Sequence, residues 1–478
     1  MNAIASTVLQ QDSAVQEEQL QAQFNSIKSA YNNAPYLSYE QRRDILLKLK
    51  KSLIDNEQLI YDAVKQDYGY RSEFDSLIAD VLPSVAGINY ALKNLKKWMK
   101  PSKRHAGLML APSKVRVHYQ PLGVVGVITP WNFPFFLALG PAVQALAAGN
   151  RVMIKMSEFT PNANKALRKV VDVISEHVVI IEGEAGIGAA FSALPFDHLI
   201  FTGSTNVGKL VAKAAADNLT PITLEMGGKS PTIIDNDISM DTAVDAISIG
   251  KSTNSGQICV SPDYVFVPEH RKQEFVETFK KRYAEYHLSG DNKNTQTHIV
   301  TDRQFTRLKG FLDDAKEKGA DIHPVKEYKD GDGRLIYPHI VTNVSQDMRV
   351  MEEEIFGSIL PVKTYQDVGE VIDYINARPR PLALYIMSKN NALIDRILKN
   401  THSGGVAIND TAMHVAADDA PFGGVGPSGM GHYHGHEGFL TFSKAKTVLY
   451  SKASLPKNRF ILKNRDLVFK VLRSLLLK

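Results

Sequence analysis

The chain reads as an α/β protein built on two doubly wound parallel sheets. Three observations predict this: short β-branched runs alternate with helix-length amphipathic segments, the same rhythm starts again halfway along, and 478 residues exceed what a single hydrophobic core supports. In the first series the runs at 124–129, 151–155, 178–182, 197–202 and 222–226 predict strands, with crossover helices at 161–177 and 206–217. Strands joined by helices at this spacing pair in parallel. The second series predicts strands at 231–234, 264–267, 360–362, 384–387 and 406–409, which puts the boundary between the lobes near Gly227 and Gly228. Ahead of both, residues 14–100 carry a mostly helical pattern, and residues 115–119 alternate like an exposed strand.

Hydrophobic residues make up 44% of the chain, charged residues 22% and aromatics 8%, the balance of an ordinary globular protein and not of a disordered or fibrous one. The single cysteine, Cys259, rules out an intramolecular disulfide, so no oxidising compartment is needed and a cytoplasmic location is expected. The first 27 residues lack Lys and Arg, which argues against a secretory leader, and no apolar run approaches the ~20 residues of a bilayer span. The net charge of +5 is unevenly placed: residues 451–478 hold eight Lys or Arg against one acid, Asp466, so the rest of the chain carries −2. That excludes the body as a nucleic-acid binder on charge grounds.

Four segments carry chemistry. A lone cysteine is most often inert core packing. Cys259, however, follows Asn254-Ser-Gly-Gln-Ile258, a turn after a helix where backbone N–H groups can stabilise a thiolate or a bound oxyanion. Gly203-Ser-Thr-Asn-Val-Gly-Lys209 follows a strand and opens a helix, close to a phosphate-binding P-loop, but Leu210 stands where a hydroxyl must reach magnesium. Nucleotide hydrolysis is therefore disfavoured. What remains is a glycine-rich helix start that suits an anion such as the pyrophosphate of a dinucleotide. Leu224-Glu-Met-Gly-Gly-Lys229 sets Glu225 at the carboxyl end of an apolar strand, where α/β sheets bind ligands and where burial makes a general base. His432, His434 and His436 could share one face of a strand, but no Cys or acidic cluster accompanies them, so an exposed polar loop without metal is expected.

Seven segments in order resemble the aldehyde dehydrogenase superfamily over about residues 20–450: Pro130-Trp-Asn-Phe-Pro134, Lys155-Met-Ser-Glu158, Phe201-Thr-Gly-Ser204, Glu225-Met-Gly-Gly-Lys229, Gly256-Gln-Ile-Cys259, Glu353-Glu-Ile-Phe-Gly357 and Pro421-Phe-Gly-Gly424. The stretch from Pro421 to Gly435 is similar to the class 3 branch, which includes coniferyl-aldehyde enzymes. The resemblance implies two Rossmann-like lobes and a small β oligomerisation arm. It places a cofactor domain at 1–102 and 122–227, a catalytic domain at 228–427 and the arm at 103–121 and 428–452, leaving 453–478 as a basic amphipathic tail.

By position the resemblance makes Cys259 the nucleophile, Asn132 the donor to the oxyanion and Glu225 the deacylation base. It assigns Lys155 and Glu158 to the adenosine ribose, Gly203 and Ser204 to the pyrophosphate, and Glu354 to the nicotinamide ribose, with Phe356 and Trp131 alongside. The cofactor implied is NAD, with NADP as the second choice, and the partners implied are a small-molecule aldehyde and a second copy of the chain in a homodimer. Met156 and Ser358 depart from the family, which has proline at both positions. The substrate implied is an aromatic, coniferyl-type aldehyde; the alternative is a medium- or long-chain fatty aldehyde.

An aldehyde has no leaving group, so a hydride departs only after a nucleophile has made the carbon tetrahedral, which a Cys259 thiolate does. The rival readings are a CoA-acylating dehydrogenase, against which Glu225 argues, a cysteine hydrolase, which needs a paired histidine, and a structural protein of the same fold. In the tail, Arg459, Lys463, Asp466, Lys470 and Arg473 form a polar stripe on one continuous helix, opposite Ile461, Val468, Leu472 and Leu475. Such a helix packs on the body or a partner subunit, or lies in an anionic membrane interface.

Overall fold

The structure, a computed structural model, describes residues 2–289, 296–328, 333–454 and 456–477, with the side chains of residues 2–14 and 108 outside the description. Two wound sheets and one small antiparallel sheet organise it. In the first sheet the order is Gly429–Met430, Ile222–Met226, His198–Gly203, Val124–Ile128, Arg151–Lys155, Val178–Ile181, parallel except for the two-residue strand at its edge. The second runs Asp321–Pro324, His339–Thr342, Ile359–Tyr365, Tyr264–Pro268, Pro231–Ile234, Ala383–Met387, Gly405–Ile408, with only Asp321–Pro324 antiparallel. Arg151–Lys155, Tyr264–Pro268 and Ala383–Met387 are buried at every position, as expected of parallel strands covered on both faces.

The topology positions a site. From Val124–Ile128 the chain winds to Arg151–Lys155 on one side and later to His198–Gly203 on the other, so the strand order reverses at the carboxyl end of Val124–Ile128. Ligands of α/β sheets sit in such a crevice, and the segment leaving it is Thr129-Pro-Trp-Asn132. A helical layer covers this sheet; its helix Tyr39–Asp55 is started by a capping box in which Ser38 and Gln41 satisfy each other's N–H groups.

The predicted strands all form; Arg151–Lys155, Ile222–Met226 and Pro231–Ile234 have the expected bounds and the others shift at one or both ends. The helix expected over 161–177 stops at Val171 and tightens into a 3₁₀ turn, Asp172–Ile174, where β-branched Val170, Val171, Val173 and Ile174 crowd a helical backbone. Ser102–Arg104, Lys114–Pro121 and Ser443–Tyr450 make the third sheet. Residues 428–442 lie elsewhere: Gly429–Met430 joins the first sheet, and helix Gly435–Thr441 packs on helix Phe136–Ala148.

Two further expectations are corrected. His434 is not in an exposed loop: it is 7% exposed and stacks on Phe422 with ring centres 5.3 Å apart, because the edge strand carries the following residues down onto the aromatic cluster. His436 stacks on Trp98, and no group of three metal-ligating side chains exists among the described residues. The tail is also not one helix. It forms Lys457–Lys463 and Arg465–Leu476, broken at Asn464, whose side-chain amide donates to the carbonyl of Phe460 at 2.9 Å in competition with the backbone. Among the described residues no helix is long and apolar enough to cross a membrane.

Candidate active site

The cleft between the wound sheets, about 270 Å³, is lined by Cys259, Glu225, Asn132, Trp131, Gly203, Ser204, Glu354 and Phe356 together with Leu137, Phe422 and Tyr433. Eight residues singled out in the sequence thus meet in one place. Lys155 and Glu158 lie at the end of the neighbouring strand, with Lys155 Nζ donating to the carbonyl of Met156 at 2.7 Å and 3.9 Å from the Glu158 carboxylate.

Cys259 is half-buried beyond a 3₁₀ turn, Thr253–Gly256. Asn254, Ser255 and Gly256 take positive φ of 48°, 53° and 72° in succession, a conformation Asn and Gly tolerate best. Glycine is also required at 256 for space, since a Cβ there would lie 2.6 Å from the carbonyl oxygen of Gly357. The turn aims the N–H groups of Cys259 and Val260 at the sulfur, which favours the thiolate. Burial and the carboxylates of Glu354 and Glu225 outweigh them and push the thiol up to about 12.

Glu225 is 3% exposed, and neither carboxylate oxygen has a hydrogen-bond partner among the described residues. Burial alone raises its pKa well above the ordinary carboxyl range. Asn132 is equally buried; its Nδ2 donates to the carbonyl of Gln257 at 3.1 Å, which fixes the amide plane and leaves its second proton for a ligand. Gln257 is itself pinned, its amide donating to the carbonyls of Asn254 at 2.9 Å and His298 at 3.0 Å.

Across the cleft, the loop carrying Glu354 and Phe356 is latched from three sides. Arg307 donates to the carbonyls of Glu354 at 3.1 Å and Ile355 at 2.6 Å, Asp263 accepts from the Ile355 N–H at 2.8 Å, and Lys229, ion-paired to Asp263, donates to the carbonyls of Val350 and Glu353. Phe356, at φ 50°, meets Trp131 edge to face at 5.3 Å. Burial and Asp263 push the Glu354 carboxyl up to about 7, against the Gly228 N–H and the cations of Lys229 and Arg307. Ser358, one of the two departures from the family pattern, donates to the carbonyl of Ser255 at 2.9 Å and so braces the nucleophile's turn.

The residues fit a dinucleotide. Ser204 is the N-cap of the twelve-residue helix Thr205–Ala216, yet its side chain makes no capping bond, so the helix start is open to an anion. Sequence reading missed Tyr68, Arg71, Asp80, Asn254 and Gln257 as supports of this site. Only the Asn-Ser-Gly turn carried a visible signal, since Asp80 has the spacing of a solvated helical charge and Arg71 stands in the loop between helices Glu57–Tyr68 and Glu73–Ser76.

A thiol placed to attack, a buried carboxyl able to activate water and an open helix start for a pyrophosphate, held at a topological switch point, define a dinucleotide-linked dehydrogenase working through a covalent intermediate. The model of the aldehyde dehydrogenase family matches residues 1–448, and the chain belongs to that family. It is 49% identical over 460 residues to a Pseudomonas aeruginosa protein named "Probable coniferyl aldehyde dehydrogenase", covering 96% of each chain. A solved structure of Staphylococcus aureus AldH in its substrate-bound state is similar with a TM-score of 0.87 at 36% identity, over 91% of this chain and 95% of that one. The Mycobacterium tuberculosis aldehyde dehydrogenase complexed with NAD+ is similar with a TM-score of 0.83 at 26% identity, over 91% of each. The chain is an NAD(P)-dependent aldehyde dehydrogenase.

Proposed function

We propose that the enzyme oxidises an aromatic, coniferyl-type aldehyde to its carboxylic acid, with Cys259 as nucleophile, Asn132 as oxyanion donor and Glu225 as deacylation base. The observation that carries the reading is that the thiol and the unpartnered Glu225 carboxyl line one cleft whose other walls include Phe422, Tyr433 and Leu137. Aromatic and apolar lining suits a conjugated aldehyde, and the Pseudomonas aeruginosa relative bears a coniferyl aldehyde name.

The Cys259 thiolate adds to the aldehyde carbon, and the alkoxide that forms is met by the Asn132 amide and the Cys259 N–H. Losing one such donor typically costs ~10²–10³ in rate. Lys155, Glu158, Gly203, Ser204, Glu354, Phe356 and Trp131 would hold a dinucleotide, which when bound would supply the hydride acceptor. Loss of hydride leaves a Cys259 thioester. Glu225, once ionised, takes a proton from water; the hydroxide displaces the thiolate and the acid departs.

The subunit pairs as a homodimer through the free edge of the eight-residue strand Ser443–Tyr450, since an unpaired edge of that length is a template for another strand. The enzyme acts in the cytoplasm, and its tail makes peripheral contact with membranes. Steady-state kinetics with coniferyl aldehyde, benzaldehyde, hexanal and longer alkanals, each with NAD and NADP, test the substrate reading. A kcat/KM higher for the long alkanals overturns it in favour of a fatty aldehyde enzyme.

A further inference from the structure

A π-helical turn in the helical layer carries a buried charge that is linked through Arg71 to the backbone of Asn132. Between helices Glu73–Ser76 and Leu82–Trp98, residues Leu77–Val81 form a π-helical turn, a rare geometry that recurs at functional sites. It carries Asp80, which is 0% exposed. One oxygen of Asp80 accepts from the N–H groups of Phe135 at 3.0 Å and Phe136 at 3.1 Å, satisfying the open start of helix Phe136–Ala148. Its other oxygen pairs with Arg71 Nη2 at 2.8 Å, and Arg71 is 1% exposed.

Arg71 passes the constraint on. Its Nη1 donates to the main-chain carbonyl of Asn132 at 2.8 Å, and the same carbonyl accepts from Asn254 Nδ2 at 3.2 Å and shares the Tyr68 hydroxyl proton, 3.2 Å away, with the Trp131 carbonyl, also at 3.2 Å. The guanidinium carbon lies over the rings of Tyr68, 5.2 Å from its centre, and Phe133, 5.3 Å from its centre. One peptide carbonyl therefore receives three donors, one of them charged, in a site shielded from water. A charge-assisted bond in such surroundings is stronger than a neutral one.

We infer that Arg71, held by Asp80, is a positioning residue that fixes the backbone of Asn132 and so aims its amide at the oxyanion. The inference rests on the proposed oxyanion role of Asn132. A pair kept for stability alone has no need to end on this carbonyl, since two well-packed apolar residues serve a buried site as well. The link also crosses to the nucleophile, because Asn254 binds both the Asn132 carbonyl and the Gln257 carbonyl that takes the Asn132 amide.

The test is a double-mutant cycle on the full-length enzyme, reading kcat, KM, NAD affinity and melting temperature. Asn132→Ala is expected to lower kcat by about 10²-fold. Arg71→Lys keeps the charge and loses the forked geometry; it is expected to lower kcat by about tenfold with KM for the aldehyde and the affinity for NAD each changed less than about threefold. The Arg71→Lys, Asn132→Ala double variant is expected to be no slower than Asn132→Ala alone, because a residue that acts through Asn132 has nothing left to aim. If the two losses multiply, or if folded Arg71→Lys keeps wild-type kcat, the positioning role is overturned. If Asn132→Ala itself keeps kcat, the oxyanion assignment fails instead. Should Arg71→Lys not fold, Tyr68→Phe removes a neutral donor from the same carbonyl, and a kcat equal to wild type there overturns the inference.

Discussion

The carboxyl of Glu225 opposes ionisation of the Cys259 thiol. Both face one cleft, where burial first, then Glu354 and Glu225, pushes the thiol up to about 12 against the N–H groups of Cys259 and Val260. The free enzyme therefore stores its nucleophile in the protonated form near neutrality. With one cysteine in the chain, iodoacetamide reports it directly, with one label per subunit. Labelling of the cofactor-free enzyme is expected to keep accelerating from pH 7 to pH 10, and a plateau below pH 9 contradicts the protonated resting thiol.

Cys259→Ala is expected to abolish aldehyde oxidation while NAD binding, followed by calorimetry, changes little. In the proposed mechanism the thiol does the covalent chemistry and is not among the groups assigned to hold the dinucleotide. Retained turnover in this variant removes Cys259 from the mechanism.

Glu225 has two pH signatures of opposite sense. As a base it must be ionised, so deacylation falls as pH drops through its raised pKa, and the acid limb of kcat lies well above the ordinary carboxyl range. For folding, a carboxyl whose pKa is raised in the folded state contributes stability that is present below its unfolded pKa and is lost as pH rises through the folded value. Glu225→Gln is neutral throughout. It is expected to give a burst of NADH followed by a depressed steady state, and to lose less melting temperature than wild type between pH 6 and pH 9. An unchanged steady-state rate sinks the base role.

Glu158 is exposed beside Lys155, and in the proposed adenosine-ribose role its carboxylate would accept from a 2′-hydroxyl and repel a 2′-phosphate. NAD is therefore the expected favourite. Glu158→Ser is expected to raise the NADP-to-NAD ratio of kcat/KM by about tenfold, equivalent to ~1.4 kcal/mol. A wild-type preference for NADP contradicts this reading of Glu158.

What could be read from the sequence follows from how far each signal reaches. Strands such as Arg151–Lys155 and Ala383–Met387 are buried on both faces, so their apolar runs announce them without reference to anything distant. The turn before Cys259 was legible because Asn-Ser-Gly suits consecutive positive φ values. Asp80 and Arg71 were not, because their partners, Phe135 and Asn132, lie 55 and 61 residues away and periodicity carries no information across that separation. His434 was misread for the same reason: its burial depends on Phe422 and Phe136, which only the tertiary fold brings to it.

The tail presents the last test. No residue of Lys457–Lys463 or Arg465–Leu476 is buried, and Phe460, Leu462, Phe469 and Leu475 are each more than half exposed. A hydrogen bond from Lys457 Nζ to the carbonyl of Met109 ties the tail to the body, beside a further exposed apolar side chain, Met109 at 63%. Apolar side chains left uncovered on two helices with six basic residues and one acid suit an anionic bilayer surface, where each basic residue contributes ~1 kcal/mol and aromatic rings favour the interface. The full chain is expected to sediment with phosphatidylserine-containing vesicles at low salt, to release as salt rises, and to ignore pure phosphatidylcholine vesicles. A chain truncated after Ser451 is expected to stay in the supernatant with wild-type kcat on a water-soluble aldehyde. Equal sedimentation of both chains discards the tail as the contact, and a truncated chain that loses its oligomeric state in light scattering assigns the tail to the subunit interface instead.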